Sequence, residues 1–120
     1  MYWEKEIETM NRDDLSKLQS VRLGETLERA KKSAHYGKRF AEMGLDVGGI
    51  RTVADIEKLP LTTKEDLRET WPYGFLACSR DELIRMHSSS GTTGRATVVF
   101  HTTADIAAWT DLLARCMYMA

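Results

Sequence analysis

The stretch "MHSSSGTTGRATVVFH", Met86 to His101, decides the reading of this chain. Between two short apolar runs it places seven consecutive small residues, Ser88 to Gly94, and then the cation Arg95. Four of the seven carry hydroxyls after the first serine, and two are glycines. Small hydroxylated residues around glycine make a loop whose backbone can approach an anion closely, and an arginine supplies charge to hold it. A phosphate is the anion expected there.

The common nucleotide motifs do not fit. A Walker loop needs a second glycine after four residues and then Lys-Ser/Thr, whereas the fifth residue after Gly91 is Ala96. A dinucleotide fingerprint needs GxGxxG opening a helix, but Gly91 and Gly94 are three apart and a β-prone run follows. No GxSxG elbow is present, so Ser88, Ser89 and Ser90 have no motif-level case as nucleophiles in the hydrolase fold of that name. A serine-rich loop of the amidase kind is a weaker rival. It would need a lysine base from upstream, and neither Lys58 nor Lys64 has a recognisable context for one.

On either side of the loop, Ile84 and Met86 alternate with Arg85 and His87, and Thr97-Val98-Val99-Phe100 is strongly β-prone. Two strands therefore flank the loop. After a helix cap at Thr102 or Thr103, Ile106, Thr110, Leu113 and Met117 form a helical stripe that runs to the last residues without a C-cap, glycine or proline. Upstream, the spacing predicts a helix from Arg12 to about Ala34, capped by Asn11 or Asp13, with Leu23, Leu27, Ala30 and Ala34 on one face. A shorter piece, "KRFAEMG", should stop at Gly44. Thr52 with Asp55 opens a helical turn that ends before Pro60, and Thr62 with Glu65 has the spacing of a capping box. The first 70 residues thus read as a run of short helices. "WPYGFLAC" then breaks the pattern, and its aromatic rings are read as a packing plug in preference to a ligand pocket.

The composition is that of one small globular domain: 120 residues, 42% hydrophobic and 29% charged. Seventeen basic against 18 acidic residues leave a formal charge of −1, so no basic surplus suggests nucleic acid. The start, "MYWEKEIETM", lacks the cationic and apolar regions of a signal peptide, and no run is apolar enough to span a bilayer. A cytoplasmic location without a membrane partner is expected. Cys78 and Cys116 have no metal-ligand spacing and read as free thiols. His87 is read as a packed or surface residue in preference to an anion contact, and His35 and His101 are given no functional role.

The order of residue types in "SSSGTTGRATVV" resembles the phosphate-binding loop of the adenylate-forming enzymes, the acyl-CoA synthetases and their relatives. More narrowly, "WEKEIETM", "LQSVRLGETLERAKKSAHYGKRF", "LPLTTKEDLRE", "WPYGFLA" and "IRMHSSSGTTGRATVVFHTTADIAAW" resemble the phenylacetate-CoA ligase family in the same order. Ala96 departs from that pattern, where proline is usual. The resemblance implies an α/β fold class: the N-terminal part of an adenylate-forming large domain, mostly short helices, then a β-hairpin carrying the phosphate loop and a final helix. It divides the chain into a helical region, 1–83, and the incomplete start of an AMP-binding domain, 84–120.

The resemblance also implies an AMP-forming acid–thiol ligase that uses ATP, Mg2+ and coenzyme A. Phenylacetate or a similar aryl acid becomes an acyl-adenylate with release of pyrophosphate, and the acyl group then passes to the thiol. Matched to the family motif, Ser89, Ser90, Gly91, Thr92, Thr93, Gly94 and Arg95 form the loop. Ser90, Thr92 and Thr93 would donate hydroxyl hydrogen bonds, the glycines let the backbone curl, and Arg95 would pair with a phosphate oxygen. On this resemblance no catalytic residue or metal ligand is expected within these 120 residues. The expectation is an inactive amino-terminal piece of a longer enzyme whose partners are small molecules and for which a homodimer is admitted. The amino-terminal helices are read as structural, with a lid over the nucleotide as one role. The competing reading is a stand-alone anion-binding or interaction module without catalysis.

Overall fold

The structure, a computed structural model, describes residues 2–91 and 94–119. Helices α1 (Lys5–Glu8), α2 (Arg12–Ala30) and α3 (Ala34–Glu42) are followed by two 3₁₀ turns, Val47–Gly49 and Val53–Lys58. Next come α4 (Lys64–Glu69) and a third 3₁₀ turn, Arg80–Glu82. The antiparallel pair β1 (Leu83–Ser88) and β2 (Val98–Thr102) and the helix α5 (Thr103–Met119) complete the fold.

Asn11 is the cap of α2, its side chain accepting from the Asp14 amide at 2.9 Å. The helix ends at Ala30, earlier than its periodicity suggests, because Ser33 intervenes. The Ser33 hydroxyl donates to the Ala30 carbonyl at 2.7 Å and accepts from the Tyr36 amide at 3.2 Å, so it closes α2 and opens α3. At 2% exposure this hydroxyl has no access to water as a substitute partner. Ser33→Ala is therefore expected to cost about 1–2 kcal/mol. A thermal melt lowered by several degrees would show it, and an unchanged midpoint would overturn this account of the break.

The interhelical turn lets Leu27 of α2 meet Phe40 of α3, and Val47 and Ile50 complete the buried core, flanked by Leu23, Tyr36, Leu45 and Leu59. Gly44 ends this helical stretch as expected. Its φ of +61° turns the chain so that the Leu45 amide reaches the Phe40 carbonyl at 2.9 Å, and Leu45 folds back onto the core.

The cap of α4 lies one residue beyond the predicted pair. Thr63 and Asp66 form the box, at 2.7 Å from the Thr63 amide to the carboxylate and 3.2 Å in return, because the Thr62 hydroxyl is taken by Tyr36 of α3. Thr52 and Asp55 cap the second 3₁₀ turn as their spacing predicts. The Thr63 hydroxyl and amide hold the Asp66 carboxyl below its ordinary value, and the Thr102 amide and hydroxyl do the same for Asp105 at the start of α5. Both support the fold when ionised. That contribution is present above the unfolded carboxylate value and is lost as pH falls through the depressed folded one.

In the hairpin, Met86 faces Phe100, His87 faces Val99 and Ser88 faces Val98, with an irregularity between Leu83 and Arg85. The alternation in β1 is real, but Ile84 and Met86 are each 58% exposed, since a two-stranded sheet has too little chain beside it to cover both faces. The stripe on α5 fares similarly: Leu113 is 55% and Met117 73% exposed. On another side of α5, Asp111 accepts from the Trp3 indole at 2.7 Å, Arg115 pairs with Glu4 and Glu8, and Tyr118 meets the Trp3 ring edge-on at 5.6 Å. These contacts fasten the amino-terminal segment to α5. Among the described residues no helix is long and apolar enough to cross a membrane.

Candidate functional site

The glycine loop occupies the turn of the β1–β2 hairpin, so paired strands, not the start of a helix, set its position. Ser89 closes its neck: the amide donates to the Thr97 carbonyl at 3.0 Å, and the hydroxyl accepts from the Thr97 amide at 3.0 Å. That hydroxyl also meets the Thr97 side chain at 3.2 Å. Of the predicted loop residues, Ser89 is therefore committed to holding the neck, while Ser90 beside it is exposed.

Gly91 and Gly94 both take conformations that favour glycine, with φ of +67° and +135°. The Gly94 amide donates back to the Gly91 carbonyl at 3.1 Å, which curls the loop tip. A β-carbon on Gly91 would lie 3.1 Å from the Gly94 carbonyl oxygen and 3.3 Å from the Ala96 nitrogen, leaving little room for a side chain. Arg95 is exposed, with its guanidinium carbon 5.3 Å from the centre of the Trp71 ring. Thr92 and Thr93 lie outside the described residues.

Two contacts to the loop come from residues that its motif does not contain. Trp71, in the turn after α4, carries Arg95 on its face. Arg68, on α4, brings its Nη2 to within 3.7 Å of the place a Gly94 β-carbon would take. Both lie in segments with another signal: "KEDLRE" carries paired charges at helical spacing, and "WPYGF" reads as an aromatic plug. The remaining rings of that second segment do pack: Phe75 stacks on His35 at 4.2 Å and Tyr73 on Phe100 at 5.2 Å. His87 also packs, edge-on to Trp109 at 5.3 Å and to His101 at 4.9 Å. No disulfide joins Cys78 and Cys116, and burial pushes the Cys78 thiol pKa up.

No protein-family model matches the chain. It is 39% identical over 115 residues to a phenylacetate-coenzyme A ligase of Escherichia coli, a match that covers 95% of this chain and 26% of the relative. A second such ligase, from Aromatoleum evansii, is 40% identical over 110 residues, which is 91% of this chain and 25% of the relative. The chain is homologous to one region of the phenylacetate-CoA ligases. It spans about a quarter of the length of those it matches. Among solved structures, a 2-hydroxyisobutyryl-CoA ligase in complex with 2-HIB-AMP and CoA superposes with a TM-score of 0.88 at 30% identity. That superposition covers 98% of this chain and 26% of the ligase. The succession of short helices, loop-bearing hairpin and closing helix is thus the fold of part of an adenylate-forming CoA ligase.

Proposed function

We propose that this chain is the phosphate-loop-bearing, amino-terminal portion of an AMP-forming phenylacetate-CoA ligase, with residues 84–120 the start of its AMP-binding domain. In that reaction a carboxylate oxygen of phenylacetate, or of a similar aryl acid, attacks the α-phosphorus of ATP and pyrophosphate leaves. The sulfur of coenzyme A then attacks the acyl carbon and AMP leaves. The contribution of this segment is to the first step, where negative charge gathers on the departing β- and γ-phosphates. Gly91 and Gly94 let backbone amides face those oxygens, the hydroxyls of Ser90, Thr92 and Thr93 add donors, and Arg95 adds charge. Ser89 keeps the two strands together beneath them.

The observation that carries this reading is the hairpin itself: two glycines at positive φ beside an exposed arginine, in a chain 36–40% identical to ligases that form such thioesters. The exposed apolar residues of α5 favour a working unit larger than these residues over a stand-alone binding module, because Leu112, Leu113 and Met117 lie uncovered together. Mg2+ belongs to the proposed reaction, but among the described residues no group of three or more His, Cys, Asp or Glu stands ready to ligate a metal. This segment contributes to that reaction through its own amide and hydroxyl donors and Arg95.

A chimera tests the proposal. With this chain in place of the corresponding region of the Escherichia coli ligase, pyrophosphate release from ATP and phenylacetate should stay within about tenfold of the parent, because the interchange preserves loop and fold. A folded chimera that releases none would overturn it.

A further inference from the structure

We propose that the cleft between the helical region and the hairpin binds a small monocarboxylate with an apolar body, its carboxylate taken by Arg29 and Lys32. The cleft shares no described residue with the glycine loop, so this site stands apart from the phosphate reading. A cavity of about 430 Å³ is lined by Leu67 of α4, Phe75 and Leu76 of the turn that follows it, and Val98 and Phe100 of β2. Small-ligand pockets have this size and a mostly apolar lining with a few polar groups. These side chains are only half-buried, so helix, turn and strand leave apolar surface between them for a ligand to cover. A second cavity, of about 530 Å³, adjoins the first. The two share Arg29, Leu76, Ala77, Cys78 and Glu82, and the second adds Lys32. One chamber is thus mostly apolar, the other carries two cations, and Cys78 belongs to both.

The charges at the cleft favour an anion, because its acids are already engaged and its cations are not. Glu82 accepts from the Ser79 amide at 2.8 Å, and Asp105 accepts from the Thr102 amide and hydroxyl, each at 2.8 Å. Both carboxylates therefore serve as caps, and the amides that they hold balance part of their charge. Among the described residues the side chains of Arg29 and Lys32 make no hydrogen bond or ion pair, and Arg29 meets Asp105 only as a longer-range charge. An incoming carboxylate finds a guanidinium with its fork of donors free and an ammonium three positions further along the chain. A bare inorganic anion would leave the apolar chamber unfilled, and a neutral hydrocarbon would leave both cations unpaired. A carboxylate on an apolar body answers both chambers at once.

The test uses octanoate as the probe and reads its binding as protection of Cys78 from iodoacetamide in the 120-residue chain, with the exposed Cys116 as internal reference. At saturation octanoate should slow labelling of Cys78 by about fivefold or more and leave Cys116 unchanged. Octanol and octylammonium, with the same number of carbons, should need about tenfold higher concentrations for equal protection. Arg29→Gln should raise the octanoate concentration for half-protection about tenfold and leave that of octanol unaltered, a split that damage to the fold would not produce. Arg29→Lys should recover most of the loss. In the chimera described above Cys78 should be protected in the same way. Unprotected Cys78, or equal slowing of Cys116, would overturn the site. So would equal protection by octanoate and octanol that Arg29→Gln leaves unchanged, which describes an apolar crevice alone. Stronger protection by octylammonium would give the cleft to Glu82 and Asp105, and loss of protection in the chimera would mean that the remainder of the ligase fills it; either result ends the proposal.

Discussion

In the chimera, Gly91→Val is expected to cut the rate of pyrophosphate release by about 10²–10³-fold, the loss typical when a preorganised donor array is disturbed. The argument starts from φ. At +67° a β-branched side chain is strained by about 1–3 kcal/mol, and the structure gives it no space to relax into, because its β-carbon would meet the Gly94 carbonyl oxygen at 3.1 Å. The least costly escape is to rotate Gly91 to negative φ. That breaks the Gly94 to Gly91 hydrogen bond, turns the amides away from the proposed phosphate site and moves Arg95 with them. Because the site lies at a hairpin turn closed below by Ser89 and Thr97, the strands stay paired and the protein stays folded. The loss should therefore fall on adenylation, while transfer from a supplied acyl-adenylate to coenzyme A continues at close to the parent rate. Release at the parent rate with both Gly91 and Gly94 made valine would remove the loop from the mechanism. Arg95→Ala should slow the same step by about tenfold or more, without the backbone change.

Much of this arrangement is legible in the sequence because it is local. Strand, glycine loop, strand and helix follow one another within some 35 residues, and each is signalled by its own residues: β-branched runs, small residues, Thr102 as a cap. Gly44 announces the end of α3 for the same reason. What was not legible depends on distant partners. "LTTKED" offers two capping boxes of identical spacing, and the choice between them is made by Tyr36, 26 residues away, which engages Thr62. The leucine and alanine spacing runs straight past Ser33, so the periodicity carries the helix on to Ala34. Only the chain reversal that brings Phe40 to Leu27 requires the break. Periodicity, likewise, reports that one face of α5 is apolar but not whether anything covers it. Arg68 was hidden in the most ordinary signal of all, a charged helix face, because its partner at Gly94 becomes a neighbour only when α4 lies beside the hairpin.

The largest stability loss should come from a residue that touches neither the core nor the loop. Gly74 lies in the turn after α4, and a β-carbon there would fall 2.1 Å from the Thr70 β-carbon, 2.4 Å from its hydroxyl and 2.6 Å from its carbonyl oxygen. Two of these atoms are close to the backbone, so no rotamer change relieves the clash, and the turn itself has to open. That turn is a junction. The Gly74 amide donates to the Thr70 carbonyl at 2.8 Å, and its own carbonyl accepts from the His35 amide at 2.8 Å, binding α4 to the first turn of α3. Gly74→Ala should therefore cost about 3 kcal/mol or more, as overpacking with loss of backbone hydrogen bonds does. With urea slopes of about 1–3 kcal/mol per molar, that lowers the unfolding midpoint by roughly 1–3 M. Gly24→Ala is the control: nothing lies within 4 Å of its β-carbon in the middle of α2, and alanine there should stabilise by about 0.5–1 kcal/mol. Because Trp71, the ring under Arg95, lies in the same turn, Gly74→Ala should also weaken pyrophosphate binding at the loop under conditions where the chain is still folded. Equal melts for the two variants would mean that the turn yields without cost, and that α4 is not the fixed base on which the loop rests.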